Sequence, residues 1–292
     1  MGAAGGASAE CVINISEGRD AGTVATTAAS GGDLVVDVHS DHEHNRTVLT
    51  LVGPLADVEE AARAVSAAAI AAIDLRGHQG VHPRLGAVDV VPFVPLAGPG
   101  GALTPWESVI GARDAFASWA GTTFDVPCFV YGPERTLPDI RRGAFTVLSP
   151  DTGPPSPHPT AGATAVGART VLIAYNVWIA PAGDAAPPDD VAQVARSLAS
   201  RIRRTELRTL GLAVDGGAQV SCNLVDPDAI ALTDVFDDVA RGAAEHGCTA
   251  IRGELVGLLP SSALAAAPKH RWAELGIGTE HTIEFRLGSG RC

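Results

Sequence analysis

From residue 11 onward, short apolar runs alternate with amphipathic stretches, and they do so in a repeating order. Apolar residues crowded into four to eight positions indicate strands, and apolar residues spaced three or four apart indicate helices. On that reading Cys11–Ile15 is a strand, and Asp20 caps a helix that stops at Gly31-Gly32. Asp33–Val38 and Arg46–Val52 are two further strands, and a helix runs from Pro54 through the Ala-rich stretch to Ile73. Ala87–Val94 is the next strand. The order β-α-β-β-α-β predicts the split βαβ, ferredoxin-like unit. Thr104-Pro105-Trp106-Glu107 has the spacing of a capping box with proline at the first helical position, so another helix is expected there. Asp125–Tyr131 is a last strand before a loop-rich stretch.

The same order returns in the second half. Thr170–Val177 reads as a strand, Val191–Arg203 as a helix, and Arg208–Val214 with Ala218–Val225 as a hairpin around Asp215-Gly216-Gly217. Asp228–His246 is a helix and Ala250–Leu258 a strand. The segments NRTVLTLVGP (Asn45–Pro54) and AQVSCNLVDP (Ala218–Pro227) are alike, and each leads into a long helix. The expectation is an α/β (α+β) protein of two related split-βαβ subdomains, residues 1–180 and 181–292, parted by the Pro/Gly/Ala-rich stretch Pro181–Pro188. Residues 2–9 read as a disordered tail, and Ser261–Cys292 has no clear assignment.

Composition narrows the function. The 292 residues are 46% hydrophobic but contain only four Trp, two Tyr and seven Phe, so the packing is aliphatic. A net charge of -12 argues against nucleic acid and against an anionic membrane surface. No apolar run reaches the ~20 residues a membrane span needs. The first ten residues lack the basic and apolar regions of a signal peptide, and five widely spaced cysteines without a CxxC fit a reduced, cytoplasmic setting. Small-molecule substrates are the expected partners.

Candidate chemistry gathers in two places. HSDHEHNR (His39–Arg46) lies on a turn between two strands, and RGHQGVHPR (Arg76–Arg84) lies between a helix and the next strand. Together they supply His39, His42, His44, His78 and His82 with Arg46, Arg76 and Arg84. Imidazole titrates near neutrality and guanidinium grips carboxylates. The pattern fits an anion site with an acid/base, and it fits equally a polar loop of solvated histidines. No HExxH or other tight ligand spacing supports a metal, and no P-loop, dinucleotide fingerprint or GxSxG elbow occurs. Asp151–Arg169 is rich in Gly, Pro and small residues, which composition alone reads as a linker.

Eight segments in order resemble one family: INISEGRD (Ile13–Asp20), HNRTVLTLVGP (His44–Pro54), DLRGHQGVHPRLGAVDVVPFVPL (Asp74–Leu96), RTLPDIRRG (Arg135–Gly143), HPTAGATAVGAR (His158–Arg169), LIAYNV (Leu172–Val177), AQVSCNLVDP (Ala218–Pro227) and ELVGLLP (Glu254–Pro260). They are similar to the formiminotransferase family, in particular the stand-alone bacterial glutamate formimidoyltransferases. The resemblance implies two α/β subdomains in a homodimer and transfer of a formimidoyl group from N-formimidoyl-L-glutamate to N5 of tetrahydrofolate, a late step of histidine breakdown. It implies that His82, in G-x-H-P-R, is catalytic. It also implies that the stretch from Gly153 to Gly162, with Pro154, His158 and Thr160, lines the folate. The HNR and RGH blocks add Asn45, Arg46, Arg76 and His78 to the binding set. By charge, Arg46, Arg84 and Arg169 are candidates for the substrate carboxylates. The chain departs from the family where Asp151–Pro154 replaces a longer stretch and where Trp178 replaces an Asn. Those departures leave an alternative: an enzyme that keeps His82 but serves another acceptor without folate.

Overall fold

The computed structural model describes residues 7–98, 101–183 and 190–289. The chain forms two compact units that divide at Thr170/Val171.

The first unit contains β1 (Ser8–Ile15), α1 (Ala21–Ala29), β2 (Val35–Asp41), β3 (Arg46–Pro54), α2 (Leu55–Ala72), β4 (Val88–Leu96), α3 (Trp106–Thr123), β5 (Cys128–Tyr131), α4 (Leu137–Gly143) and β6 (Thr164–Ala168). The strand order is β2-β3-β1-β4-β6-β5. The first four strands pair antiparallel, with β1 between β3 and β4, as the split βαβ requires. Strand alternation explains the layering. Cys11, Ile13 and Ile15 of β1 share a core with Leu49 and Leu51 of β3 and Phe93 of β4. Against that face α2 buries Val58, Ala61, Ala62, Val65 and Ala69, a stripe at helical spacing whose small side chains admit the sheet closely. Complete burial of a residue such as Ile13 or Leu49 contributes about 1.5–3 kcal/mol.

The second unit repeats the order with β7 (Ile173–Pro181), α5 (Val191–Ile202), β8 (Leu207–Val214), β9 (Gly217–Leu224), α6 (Leu232–Glu245) and β10 (Cys248–Val256). Its sheet runs β10-β7-β9-β8, so the first strand again lies between the third and the fourth. Both split-βαβ units are therefore present. The tail left unassigned above adds the short helices α7 (Ser261–Ala266), α8 (Trp272–Leu275) and α9 (Ile283–Ser289).

Several expectations are corrected. The division falls ahead of Pro181, because β7 hydrogen-bonds to β9 and β10 and belongs with the second sheet. Most of the Pro181–Pro188 stretch expected to be the linker lies outside the described residues. Ser8 and Ala9, expected in a disordered tail, pair with both Pro54-Gly53 and Leu96-Pro95, so they open β1. Residues 2–6 of that tail are outside the described set. Thr104 does not cap α3: its hydroxyl donates to the Ser8 carbonyl at 2.7 Å, and Pro105 precedes the first turn. A reciprocal box does form at Thr136 and Asp139, opening α4 within the stretch expected to be loop. The linker-like 151–169 segment ends in β6, a parallel strand inserted between β4 and β5. Cys11, Cys128, Cys222 and Cys248 are free and buried.

Candidate active site

The end of the first sheet where β1 and β2 finish and β3 and β4 begin collects the chemistry. Between β2 and β3 the chain turns sharply. The His44 N–H donates to Asp41 Oδ1 at 2.8 Å, and Asn45 takes a left-handed φ of 48°, a conformation asparagine tolerates better than most residues. The Asn45 amide then stitches three loops together. Its Oδ1 accepts from the Gly18 N–H after β1, and its Nδ2 donates to the Gln79 carbonyl in the loop that precedes β4, both at 2.9 Å. Asn45 thus aligns the site rather than lining an open pocket: it is buried.

That third loop, His78 to Leu85, is braced from inside. Arg84 Nη2 donates to the carbonyls of Gly80 and His82, each at 3.0 Å, and Nη1 contacts His78 Nδ1. The Leu85 N–H donates to the buried Asp89 carboxylate at 2.6 Å. His82 is thereby held half-buried at the tip. Its Nδ1 lies 2.7 Å from the Pro83 carbonyl oxygen. A carbonyl can only accept, so Nδ1 carries the hydrogen and Nε2 is the basic nitrogen. The His44 ring stands edge-on to it, centroids 5.9 Å apart.

The surroundings disfavour imidazolium. Burial first, then the charges of Arg46, Arg141 and His44, push the His82 pKa down to about 2, against a smaller upward effect of the Pro83 carbonyl. The resting ring is neutral at physiological pH, in the form that can take a proton. Arg46, at the head of β3, bonds through Nη2 to Asn14 Oδ1 on β1, while its buried Nε has no hydrogen-bond partner. Burial pulls its pKa down to about 10, which still leaves it cationic. Arg141 of α4 forks onto Asp89, with Nη1 2.8 Å from Oδ1 and Nη2 on Oδ2.

Of the residues singled out in the sequence, Asn45, Arg46, His78, His82 and Arg84 meet here. Arg76 does not join them: it is exposed and paired with Asp74. Arg169 follows β6 beside Phe93, and Phe93 is four residues along β4 from Asp89, roughly 13 Å at strand rise. There its charge opposes the rise of the buried Glu10 carboxyl, which burial lifts to about 7. In the 158–162 turn, His158 Nδ1 accepts the Ala161 N–H at 3.0 Å, and the Thr160 carbonyl accepts the Leu75 N–H at 2.9 Å, which seats the turn against the flank of the His82 loop. Gly153 (φ 80°) and Gly162 (φ 68°) do not form an open cradle. A Cβ on them would lie 2.9 Å from the Val126 oxygen and 2.3 Å from the Leu85 oxygen, so these glycines serve the packing of the chain on itself. Pro154 is half-buried. The sequence alone does not point to Asn14, Asp89 or Arg141 as members of the site. The one available signal was a lone acid, Asp89, inside the apolar run VDVVPFV, which demanded a buried partner.

Among the described residues, no three His, Cys, Asp or Glu side chains group to hold a metal ion. Two concavities lie elsewhere: one of about 500 Å³ among Arg201, Arg203, Arg204 and Arg241, and one of about 330 Å³ beside Arg113 and Glu134.

An imidazole set among guanidiniums suits proton transfer on an anionic substrate. The formiminotransferase domain's N-terminal subdomain matches residues 8–169, and the formiminotransferase domain proper matches residues 174–277. A glutamate formimidoyltransferase of Streptococcus pyogenes is 34% identical over 281 residues, covering 87% of this chain and 90% of that protein. One of Thermoplasma acidophilum is 32% identical over 95% of this chain and 96% of its own length. The formimidoyltransferase-cyclodeaminase of Sus scrofa is 33% identical over 88% of this chain, which spans about half of that longer protein. Together these matches extend over nearly the whole sequence, and the chain belongs to the formiminotransferase family of transferase enzymes.

Proposed function

We propose that the protein is a glutamate formimidoyltransferase, moving the formimidoyl group of N-formimidoyl-L-glutamate to N5 of tetrahydrofolate. The observation that carries this reading is the His82 ring, neutral and with Nε2 as its basic nitrogen, in a cationic setting within a family of formimidoyl-transferring enzymes.

In this chemistry N5 of the acceptor attacks the formimidoyl carbon to give a tetrahedral intermediate. N5 loses a proton, the bond from carbon to the glutamate nitrogen breaks, and that nitrogen gains a proton. A ring that starts neutral can take the first proton at Nε2 and return it to the leaving nitrogen, a role worth about 100- to 10,000-fold in rate. Holding donor and acceptor together supplies further acceleration. The segment from His158 to Gly162, assigned to folate by resemblance, flanks the His82 loop, which supports the acceptor choice.

The same reading makes the protein a cytoplasmic homodimer acting in histidine breakdown. Four buried free thiols fit a reducing compartment, and no helix among the described residues is long and apolar enough to cross a membrane. Light scattering at micromolar concentration tests the dimer.

The reaction is tested by incubating the protein with N-formimidoyl-L-glutamate and tetrahydrofolate and following 5-formimidoyltetrahydrofolate by mass spectrometry. Product dependent on His82 supports the reading, and its absence with active control enzyme removes it. A second reading, another acceptor in place of folate, is favoured by one observation: the faces of Gly153 and Gly162 are filled by the chain's own carbonyl oxygens. Donor consumption with a different amine, and none with tetrahydrofolate, would select it.

A further inference from the structure

We infer that Arg46 and Arg141 form a carboxylate subsite beside His82, taking a carboxylate of an acidic amino-acid donor, and that the buried Asp89 is the positioning residue that aims Arg141 into it. The inference rests on the proposed donor and deepens it.

Arg46 is fixed by Asn14, yet its Nε–H is buried without an acceptor. A guanidinium N–H in that state costs free energy that an anionic oxygen would recover. Arg141 spends one hydrogen from each of two nitrogens on Asp89, and a guanidinium has five. Its side chain is 20% exposed, so donors remain within reach of a ligand, whereas Asp89 is 3% exposed and available to none. Asp89 joins two otherwise separate parts: the Arg141 fork from α4 and the Leu85 N–H that ends the His82 loop. One carboxylate therefore sets the position of the second cation relative to the imidazole.

The charges that bear on this corner are Arg46, Arg141, Arg84 and Arg19 against Asp89, Asp41 and Glu17, with His44 alongside His82. The balance is positive by one charge although the whole chain is negative by 12. A single carboxylate between Arg46 and Arg141 neutralises it. Because those two cations help keep His82 unprotonated, an arriving carboxylate also makes the ring a better base. Donor binding and base activation then share the same contacts.

The test follows the His82 ring nitrogens by NMR at pH 7 in the full-length, histidine-labelled protein, with L-glutamate as the probe. Saturating glutamate is expected to shift the His82 ring resonances while the ring stays neutral. In Arg141→Gln that shift is lost and glutamate binds about 10- to 100-fold more weakly. Asp89→Asn behaves likewise, and Arg141→Lys, which keeps the charge but not the fork, recovers binding only in part. His82 resonances indifferent to glutamate in the wild type, or wild-type affinity in folded Arg141→Lys and Arg141→Gln, overturn the subsite. Neither measurement uses folate. A glutamate-linked shift without formimidoyl transfer therefore leaves the subsite standing and rejects only the reaction. Transfer without the shift does the reverse.

Discussion

Arg84 donates to the carbonyl of His82 at 3.0 Å, so the candidate acid/base is held from behind by a guanidinium two residues along the chain. The same Nη2 reaches Gly80, and Nη1 meets His78. Arg84 thus fixes the loop and has little left for a ligand. A lysine has one small ammonium and cannot span the three partners. Arg84→Lys is expected to lower kcat about tenfold or more through a misplaced His82, with the overall fold intact by circular dichroism. Steady-state kinetics beside a far-ultraviolet spectrum checks this.

Asn45 offers a separate test of the same architecture. Asn45→Ala removes both loop bonds and places a residue poorly suited to φ 48° at the turn. A loss of about 2–3 kcal/mol in unfolding free energy is expected. Asn45→Gly relieves the backbone but not the lost bonds, so it falls between the two. Urea unfolding of the three proteins gives the order directly.

Much of this architecture is legible in the residues. Cys11–Ile15, Arg46–Val52 and Ala87–Val94 carry the alternation that packs one face of each strand, and the repeat of that order in the second half is a property of periodicity alone. β6 is harder to read, because TAVGA is short and follows a stretch rich in Gly, Pro and small side chains that resembles a linker. α4 is hidden for a similar reason: seven residues hold too little of a helical repeat to register, although Thr136 and Asp139 did mark its start. Within the site, His82 and Arg46 stand out by type and motif. Arg141 does not, since its partner Asp89 lies 52 residues away, and a pairing that distant leaves no local pattern. Arg169 shows the opposite error. Charge alone recommended it, but strand direction carries it to the far end of the sheet.

Glu10 makes stability depend on pH. Its buried carboxyl is lifted from an ordinary 4.5 to about 7. Between those values the unfolded chain has lost the proton and the folded chain keeps it, so stability is full below about 4.5 and falls as pH rises through 7. Glu10→Gln removes that slope. Its unfolding free energy is expected to change less between pH 5 and pH 8 than that of the wild type, by on the order of 2–3 kcal/mol. Denaturant midpoints at the two pH values decide it.

Gly162 tests whether the turn against the His82 loop is a packing device. Gly162→Ala puts a Cβ 2.3 Å from the Leu85 oxygen at φ 68°. The turn must shift, and a destabilisation above about 1 kcal/mol is expected. It should be accompanied by faster amide exchange at Leu75 and Ala163, whose N–H groups bond across that seam. Exchange measured by mass spectrometry reports both.

The central claim is that His82 moves the proton while the formimidoyl group changes nitrogen. The most direct measurement is the turnover of His82→Gln under saturating donor and acceptor, with donor affinity measured in parallel. The account predicts a fall in kcat of about 100-fold or more with donor affinity changed only a few-fold. Turnover within a few-fold of the wild type would contradict it.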